Sequence, residues 1–165
     1  MAFGTSPLEL LAADAMLRGE IYCNSWVYSA RWLTGTTSAL AANGTTDQVV
    51  QITAEADFMC QELNLTAWSA AGTLVQDPDL TILITISSGR PWFNQEQTVR
   101  DVCGSFAGGE FPGTLPMPRL VASQSTITVT LANRTGTNWN RVTLAMRGFN
   151  IYYQTATRQQ VFHVL

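Results

Sequence analysis

A strict alternation of apolar and polar residues is the feature that most constrains this chain. The segment Leu80–Ile86 reads LTILITI, with large aliphatic residues at every even position and threonine or leucine between them. Residues 125–131, STITVTL, repeat the pattern with three threonines on the opposite side from three aliphatic residues. A two-residue period places successive side chains on opposite faces of a strand. Both segments are therefore predicted to be strands that bury one face.

Further strand-like segments follow the same period and are separated by stretches rich in Gly, Pro and Asn. In one of them, residues 57–68, the apolar phase slips between Phe58/Cys60 and Leu63/Leu65, which predicts a β-bulge. The proline-rich stretch AGGEFPGTLPMPR is predicted to be a loop. The additional predicted strands cover residues 20–28, 47–53, 57–68, 141–146, 148–153 and 159–165.

Many short strands with frequent turns predict an all-β fold, an antiparallel β-sandwich that is jelly-roll-like. Strand order is invisible to periodicity, so an immunoglobulin-like variant remains open. A short N-terminal helix is predicted before the strands, because Ser6 can cap it, Pro7 suits its first turn and Gly19 can end it. We expect residues 1–19 to form an N-terminal arm or helix and residues 20–165 to form the β-sandwich domain.

Composition restricts the possible partners. Charged residues make up 13% of the 165 residues, the net charge is −3, and all nine cationic residues are arginines. A nucleic-acid-binding surface needs a basic field, so we expect no nucleic acid partner. No apolar run approaches the roughly 20 residues that span a bilayer, so no membrane partner is expected either. A surface of low charge and high threonine content is typical of a protein buried in an assembly.

Residues that could carry chemistry are scattered. Ser87 and Ser88 would need a base, and the single histidine, His163, lies three residues from the end. Asp77 and Asp79 flank a proline in QDPD, a pattern that favours a turn over a calcium or glycosidase site.

The three cysteines form no CxxC pair, and the glycines after position 103 lack the context of a phosphate-binding loop. Small buried thiols are the expected state of Cys23, Cys60 and Cys103. We therefore predict no catalytic residue, no cofactor and no metal site.

A surface role is the better interpretation of the stretch ISSGRPWFN, residues 86–94. Arginine and tryptophan are the side chains most enriched at interface hot spots. The alternative is that Trp92 and Phe93 fold back and plug one end of the sandwich. The candidate interface residues are Leu8, Leu11, Met16, Arg90, Trp92, Phe93 and Trp139.

The order of motifs over about 95 residues resembles the small β-sandwich proteins of tailed-bacteriophage virions, in particular those that decorate or cement the head. The matching pieces are LTILITISSGRPWFNQ, VRDVCG, FPGTLPMPRLVASQSTITVTLANRTG and RVTLAMRGFNIYY. The resemblance implies that VRDVCG forms a short strand followed by a glycine. The other pieces contain Ser88-Gly89-Arg90, the Leu115-Pro116-Met117-Pro118 segment, Leu131-Ala132-Asn133 and the closing strand from Arg141 to Tyr152.

The resemblance implies a non-enzymatic decoration protein that binds the outer head surface and stabilises contacts between capsomers. Its implied partners are the major capsid protein and other copies of itself, as a homotrimer. Its implied location is the virion surface, after a period in the host cytoplasm. A head–tail or tail component with the same sandwich is the first alternative, and a carbohydrate-binding module is the second.

Overall fold

A computed structural model describes residues 10, 13–16, 18, 19, 21–87, 91–104 and 113–153. Within these residues the chain forms nine strands, a helical turn at residues 13–16 and a short helix, α1, at Val99–Cys103. The strands are β1 (Ile21–Leu33), β2 (Thr45–Gln51), β3 (Asp57–Ser69), β4 (Leu74–Val75), β5 (Leu80–Ile86), β6 (Gln97–Thr98), β7 (Gly113–Val121), β8 (Thr126–Asn133) and β9 (Trp139–Tyr153).

Two antiparallel sheets pack face to face, which confirms the predicted all-β sandwich. Sheet A has the order β1-β9-β3, with β4 and β7 both paired to β3, and sheet B has the order β2-β8-β5-β6. The pairs are nested: β1 with β9, β2 with β8, β3 with β7, and β5 with β6 at the centre. This is the strand order of a long hairpin rolled into two sheets, the jelly roll. Only the two-residue β4 stands outside it.

The core lies between the sheets and consists of the alternating inward residues of both. In sheet B these include Ile82, Ile84 and Val129, all fully buried, and in sheet A they include Trp32 and Phe58. The indole Nε1 of Trp32 donates to the Thr46 carbonyl oxygen at 3.2 Å and so joins β1 to β2 across the two sheets. The predicted strand Leu80–Ile86 is confirmed at both of its ends.

Sheet A extends past sheet B because its strands are longer. β1 and β9 have 13 and 15 residues, whereas β2 and β8 have 7 and 8. The uncovered end of β1 carries Tyr22, whose ring lies 6.1 Å from that of Tyr152 on β9, and Trp26, 6.2 Å from Tyr28. The amide of Asn150 on β9 is fully buried here without a hydrogen-bond partner among the described residues.

The predicted bulge in β3 is confirmed, since its register to both neighbours shifts between Cys60 and Glu62. The predicted break between residues 141–146 and 148–153 is wrong, because β9 continues through Gly148. A Cβ at position 148 would collide with the carbonyl of Met59, next to the bulge. Glycine therefore permits a close backbone approach there instead of ending the strand.

Two further expectations are corrected. Part of the proline-rich stretch, predicted as a loop, forms β7, although its pairing with β3 skips from Arg119 to Thr114. The segment Val99–Cys103, a short strand in the resemblance, is the helix α1, which Thr98 caps by accepting from the Asp101 amide. The predicted strand at 159–165 lies outside the described residues.

The N-terminal segment contacts the outer side of sheet A. Residues 13–16 are helical, in agreement with the predicted helix. The side chain of Ala15 is fully buried in a small cluster with Ile21, Met59 and Ile151. Its neighbour Met16 is 47% exposed.

Candidate interaction surfaces

The described members of the predicted interface do not gather at one place. Leu8, Leu11 and Arg90 lie outside the described residues. Met16 is exposed on the helical turn, and Phe93 is half-buried against the core.

Trp92 was expected at the surface, and the structure corrects this. Its side chain is only 5% exposed and belongs to the central core. Its amide donates to the Ile84 carbonyl at 2.8 Å, and its carbonyl accepts from the guanidinium of Arg119 at 2.9 Å. Pro91 forms a bridge to Thr85, which returns the chain to the sandwich after β5. Trp92 therefore folds back and plugs the core, which is the alternative interpretation of this part of the sequence.

Trp139 is buried as well, and a polar residue explains why. Its indole Nε1 donates to Asn133 Oδ1 at 3.0 Å. The amide nitrogen of Asn133 donates to the carbonyls of Ala41 and Thr137, each at 2.8 Å. Asn133 thus links the loop before β2 to the loop before β9 by hydrogen bonds, and Trp139 is held in place by the same side chain. Neither tryptophan is available as an exposed anchor in the single chain.

The outward side of sheet B forms a surface of low charge, which we call the threonine face. Its side chains alternate with the buried Ile127, Val129 and Leu131 of β8 and their neighbours. Asp47 is the only charged residue at the outward positions of these four strands. The members of the threonine face are Thr45, Asp47, Val49, Gln51, Thr81, Leu83, Thr85, Thr98, Thr126, Thr128, Thr130 and Ala132.

The outward side of sheet A differs in charge. Arg31, Arg141 and Arg147 lie on it together with Glu62. The guanidinium of Arg141 stacks over the Trp68 ring, 3.7 Å from its centroid. Further along, a shallow depression of about 500 Å³ is lined by Ser25, Trp26, Val27, Gln61, Glu62, Arg147 and Gly148.

A second exposed surface follows β1, and we call it the β1 edge. Among the described strands β1 pairs with β9 alone, over thirteen consecutive residue pairs without irregularity. Tyr22 is 54% exposed, Trp26 45% and Val27 56%. Sequence reasoning missed these residues because periodicity does not reveal which strand lies at an edge. A long β-prone run with no Pro, Gly or Lys was the signal available.

Two thiols of the described chain have strongly raised pKa values. Burial raises the pKa of the Cys60 thiol to about 12 and that of Cys103 to about 12. Such thiols are inert, since the thiolate is the nucleophile. Asp77, one of the two carboxylates flanking the proline, pairs with Arg100 at 3.1 Å.

Two features are absent from the part of the chain that the structure describes. No group of three or more His, Cys, Asp or Glu residues is placed to hold a metal ion. The described helices include none with the length and apolar character needed to cross a bilayer.

No family model matches the sequence, and no curated protein matches it either.

Proposed function

We propose that the chain is a non-enzymatic structural protein of a tailed-bacteriophage particle, which binds the outer surface of the head and stabilises contacts between capsomers. The observation that carries the proposal is the threonine face. A charged side chain is costly to desolvate, whereas hydroxyl and methyl groups are buried at a smaller cost. The centres of protein interfaces are depleted of charged residues for this reason. A sheet face whose strands carry one outward carboxylate, with the Glu96–Arg134 ion pair beside Thr81 at its margin, suits attachment to another protein surface.

The fold supports the proposal by analogy. Jelly rolls recur in viral capsid proteins, and they also occur in lectins. Because one fold hosts many functions, this analogy does not identify a partner. The resemblance of the motif order to head decoration proteins favours the capsid partner over a sugar.

The N-terminal segment has a place in this proposal as an arm. Ala15 anchors its helical turn to sheet A, and Met16 faces solvent. An arm that contacts a neighbouring subunit would use such exposed apolar side chains. We expect Met16→Glu to weaken attachment to heads while the melting temperature of the free protein changes little.

Copy number in purified virions tests the proposal first. Quantitative mass spectrometry against the major capsid protein should give hundreds of copies per particle. A dozen or fewer copies would instead support the head–tail or tail alternative. Complete absence from virions would overturn both.

A binding measurement tests the surface itself. Thr128 lies at the centre of the threonine face, between Val49 and Thr85. Thr128→Glu should weaken co-sedimentation with heads that lack the protein at least tenfold, about 1.4 kcal/mol. Thr143→Glu is the matched control, since Thr143 is an outward, half-buried threonine on the central strand of sheet A. Equal binding of the two variants would contradict attachment through the threonine face.

The carbohydrate-binding alternative has one observation in its favour, the exposed Tyr22 and Trp26 on the uncovered end of β1. A sugar platform uses coplanar rings, whereas the Tyr22 and Tyr152 rings are tilted by 40° and those of Trp26 and Tyr28 by 56°. Glycan-array binding by the isolated protein that is lost in Trp26→Ala would favour this alternative.

A further inference from the structure

The β1 edge is long and regular, and no described strand pairs with its outer side. Thirteen residues at about 3.3 Å each give an edge of about 43 Å. Proteins normally block such edges with proline, lysine, bulges or very short strands, because a free edge pairs with other chains. β1 has no proline, no lysine and no bulge, and its only charge is Arg31. Eight of its thirteen residues are exposed.

We propose that the β1 edge pairs with the β1 edge of a second copy of this chain, antiparallel about a two-fold axis at Val27. Sheet A then continues through both copies. This inference goes beyond the proposed attachment to heads, which uses the other sheet.

The sequence of β1 is complementary to itself in this register. Val27 is the central residue of β1, so it faces Val27 of the second copy when the two strands overlap completely. Trp26 then faces Tyr28, and Ser25 faces Ser29. At the two ends Ile21 faces Leu33. Aromatic, hydroxyl and aliphatic pairs of this kind are the cross-strand pairs that stabilise antiparallel sheets.

No pair of like charges meets in this arrangement. Arg31 faces Cys23 of the second copy. The nearest other cation, Arg147, lies on β9 beside Val27. The two copies of Arg147 would be three strand spacings apart, about 14 Å, which exceeds the Debye length of about 10 Å at 0.1 M salt. The contact is therefore electrostatically neutral at its centre.

A second copy also fits better than a different partner strand. An isologous contact requires one patch that is complementary to itself. β1 meets that requirement over its full length. The contact is two-fold, so it predicts dimers of the free protein in place of the three-fold association that the resemblance implies.

Substitutions of opposite charge at Val27 test both the contact and its register. The purified full-length chain should have the mass of two chains by native mass spectrometry and light scattering. Val27→Lys and Val27→Glu should each be monomeric, because each places two like charges at the two-fold axis. A one-to-one mixture of the two variants should restore a dimer that contains one chain of each. Both variants should keep the circular dichroism spectrum of the parent, since Val27 is 56% exposed.

Met117→Lys is the matched control, because Met117 is an exposed apolar residue, 65% accessible, on the other edge of sheet A. It should leave the dimer unchanged. A monomeric or trimeric parent chain, a dimer that survives Val27→Lys, or a mixture that stays monomeric would each overturn the proposal. These readouts use the free protein alone, so they are independent of whether it binds heads.

Discussion

The two edges of sheet A are built in opposite ways. At one edge β1 runs for thirteen residues in unbroken register with β9. At the other edge β7 pairs with β3 at both of its ends and skips Leu115 to Pro118 between them. That skipped segment contains Pro116 and Pro118, which have no N–H to offer another strand. One edge is open to pairing and the other is closed.

The difference shows how edge chemistry can direct association. A jelly roll has four edge strands, and three of those described here are shorter than β1 or irregular. β6 has two residues, β2 has seven, and β7 has the prolines. β1 alone has both length and regularity. The contrast predicts that a second chain adds at β1 and not at β7.

The largest expected effect of a single substitution comes from removing the internal anchor of the open edge. Trp32 is 1% exposed and joins β1 to β2 through its indole. Trp32→Ala should lower the free energy of unfolding by about 3–5 kcal/mol, measured by urea denaturation at fixed chain concentration.

Leu115→Ala is the matched change at the closed edge. Leu115 is 7% exposed and lies in the irregular part of β7. The truncation should lower the free energy of unfolding by about 2–3 kcal/mol, at the low end for leucine, because an irregular segment can collapse into the cavity that the side chain leaves. A larger loss for Leu115→Ala than for Trp32→Ala would contradict the view that β1 is the more firmly anchored edge.

The next prediction is a pH dependence of stability that two buried thiols cause. Cys60 lies on β3 opposite Arg119 of β7, and Cys103 ends α1. Their pKa of about 12 in the folded chain exceeds the ordinary value of 9.0. Between pH 9 and pH 12 the unfolded state loses protons that the folded state keeps. Stability should therefore fall as pH rises, by about 1.4 kcal/mol per pH unit for each thiol.

The double variant Cys60→Ala, Cys103→Ala isolates this contribution. The slope of unfolding free energy against pH between 9 and 12 should be smaller in the variant than in the parent. Identical slopes would show that the thiols are accessible in the folded chain. Cys23, which is only partly buried beside the open edge, should react with a thiol reagent before either of them.

Replacing the two prolines of the closed edge should have the smallest effect on stability and change the free energy of unfolding by no more than about 1 kcal/mol. Pro116→Thr together with Pro118→Thr restores two N–H groups to β7. If the prolines block pairing there, sedimentation velocity should show species larger than the dimer. Unchanged sedimentation would contradict a blocking role for the prolines.

The sequence predicted the elements better than their arrangement. Alternation placed Leu80–Ile86 correctly, and the phase slip in residues 57–68 predicted the bulge beside Cys60. Both features are local, because each strand's pattern reports directly on which face is buried. Gly148 was misinterpreted as a break, since its reason for being glycine is the approach of the Met59 carbonyl from another strand.

The surfaces were harder to predict because they, like the role of Gly148, depend on contacts between elements that are distant in sequence. Trp92 and Trp139 follow turn residues, and only the folded chain shows that Trp92 returns to the core and that Trp139 binds Asn133. The β1 edge was equally hidden, because residues 20–28 resemble any other strand until the pairing order is known. Sequence patterns report burial within an element, whereas exposure of an edge depends on contacts between distant elements.

Hydrogen exchange as a function of concentration tests the contrast between the two edges most directly. The account predicts that amides of β1 exchange more slowly as the concentration of the parent chain rises, while amides of β7 are unaffected. The same amides in Val27→Lys should exchange at a rate that does not depend on concentration. Protection that grows at β7, or at neither edge, would contradict the claim that β1 is the edge through which the chain associates.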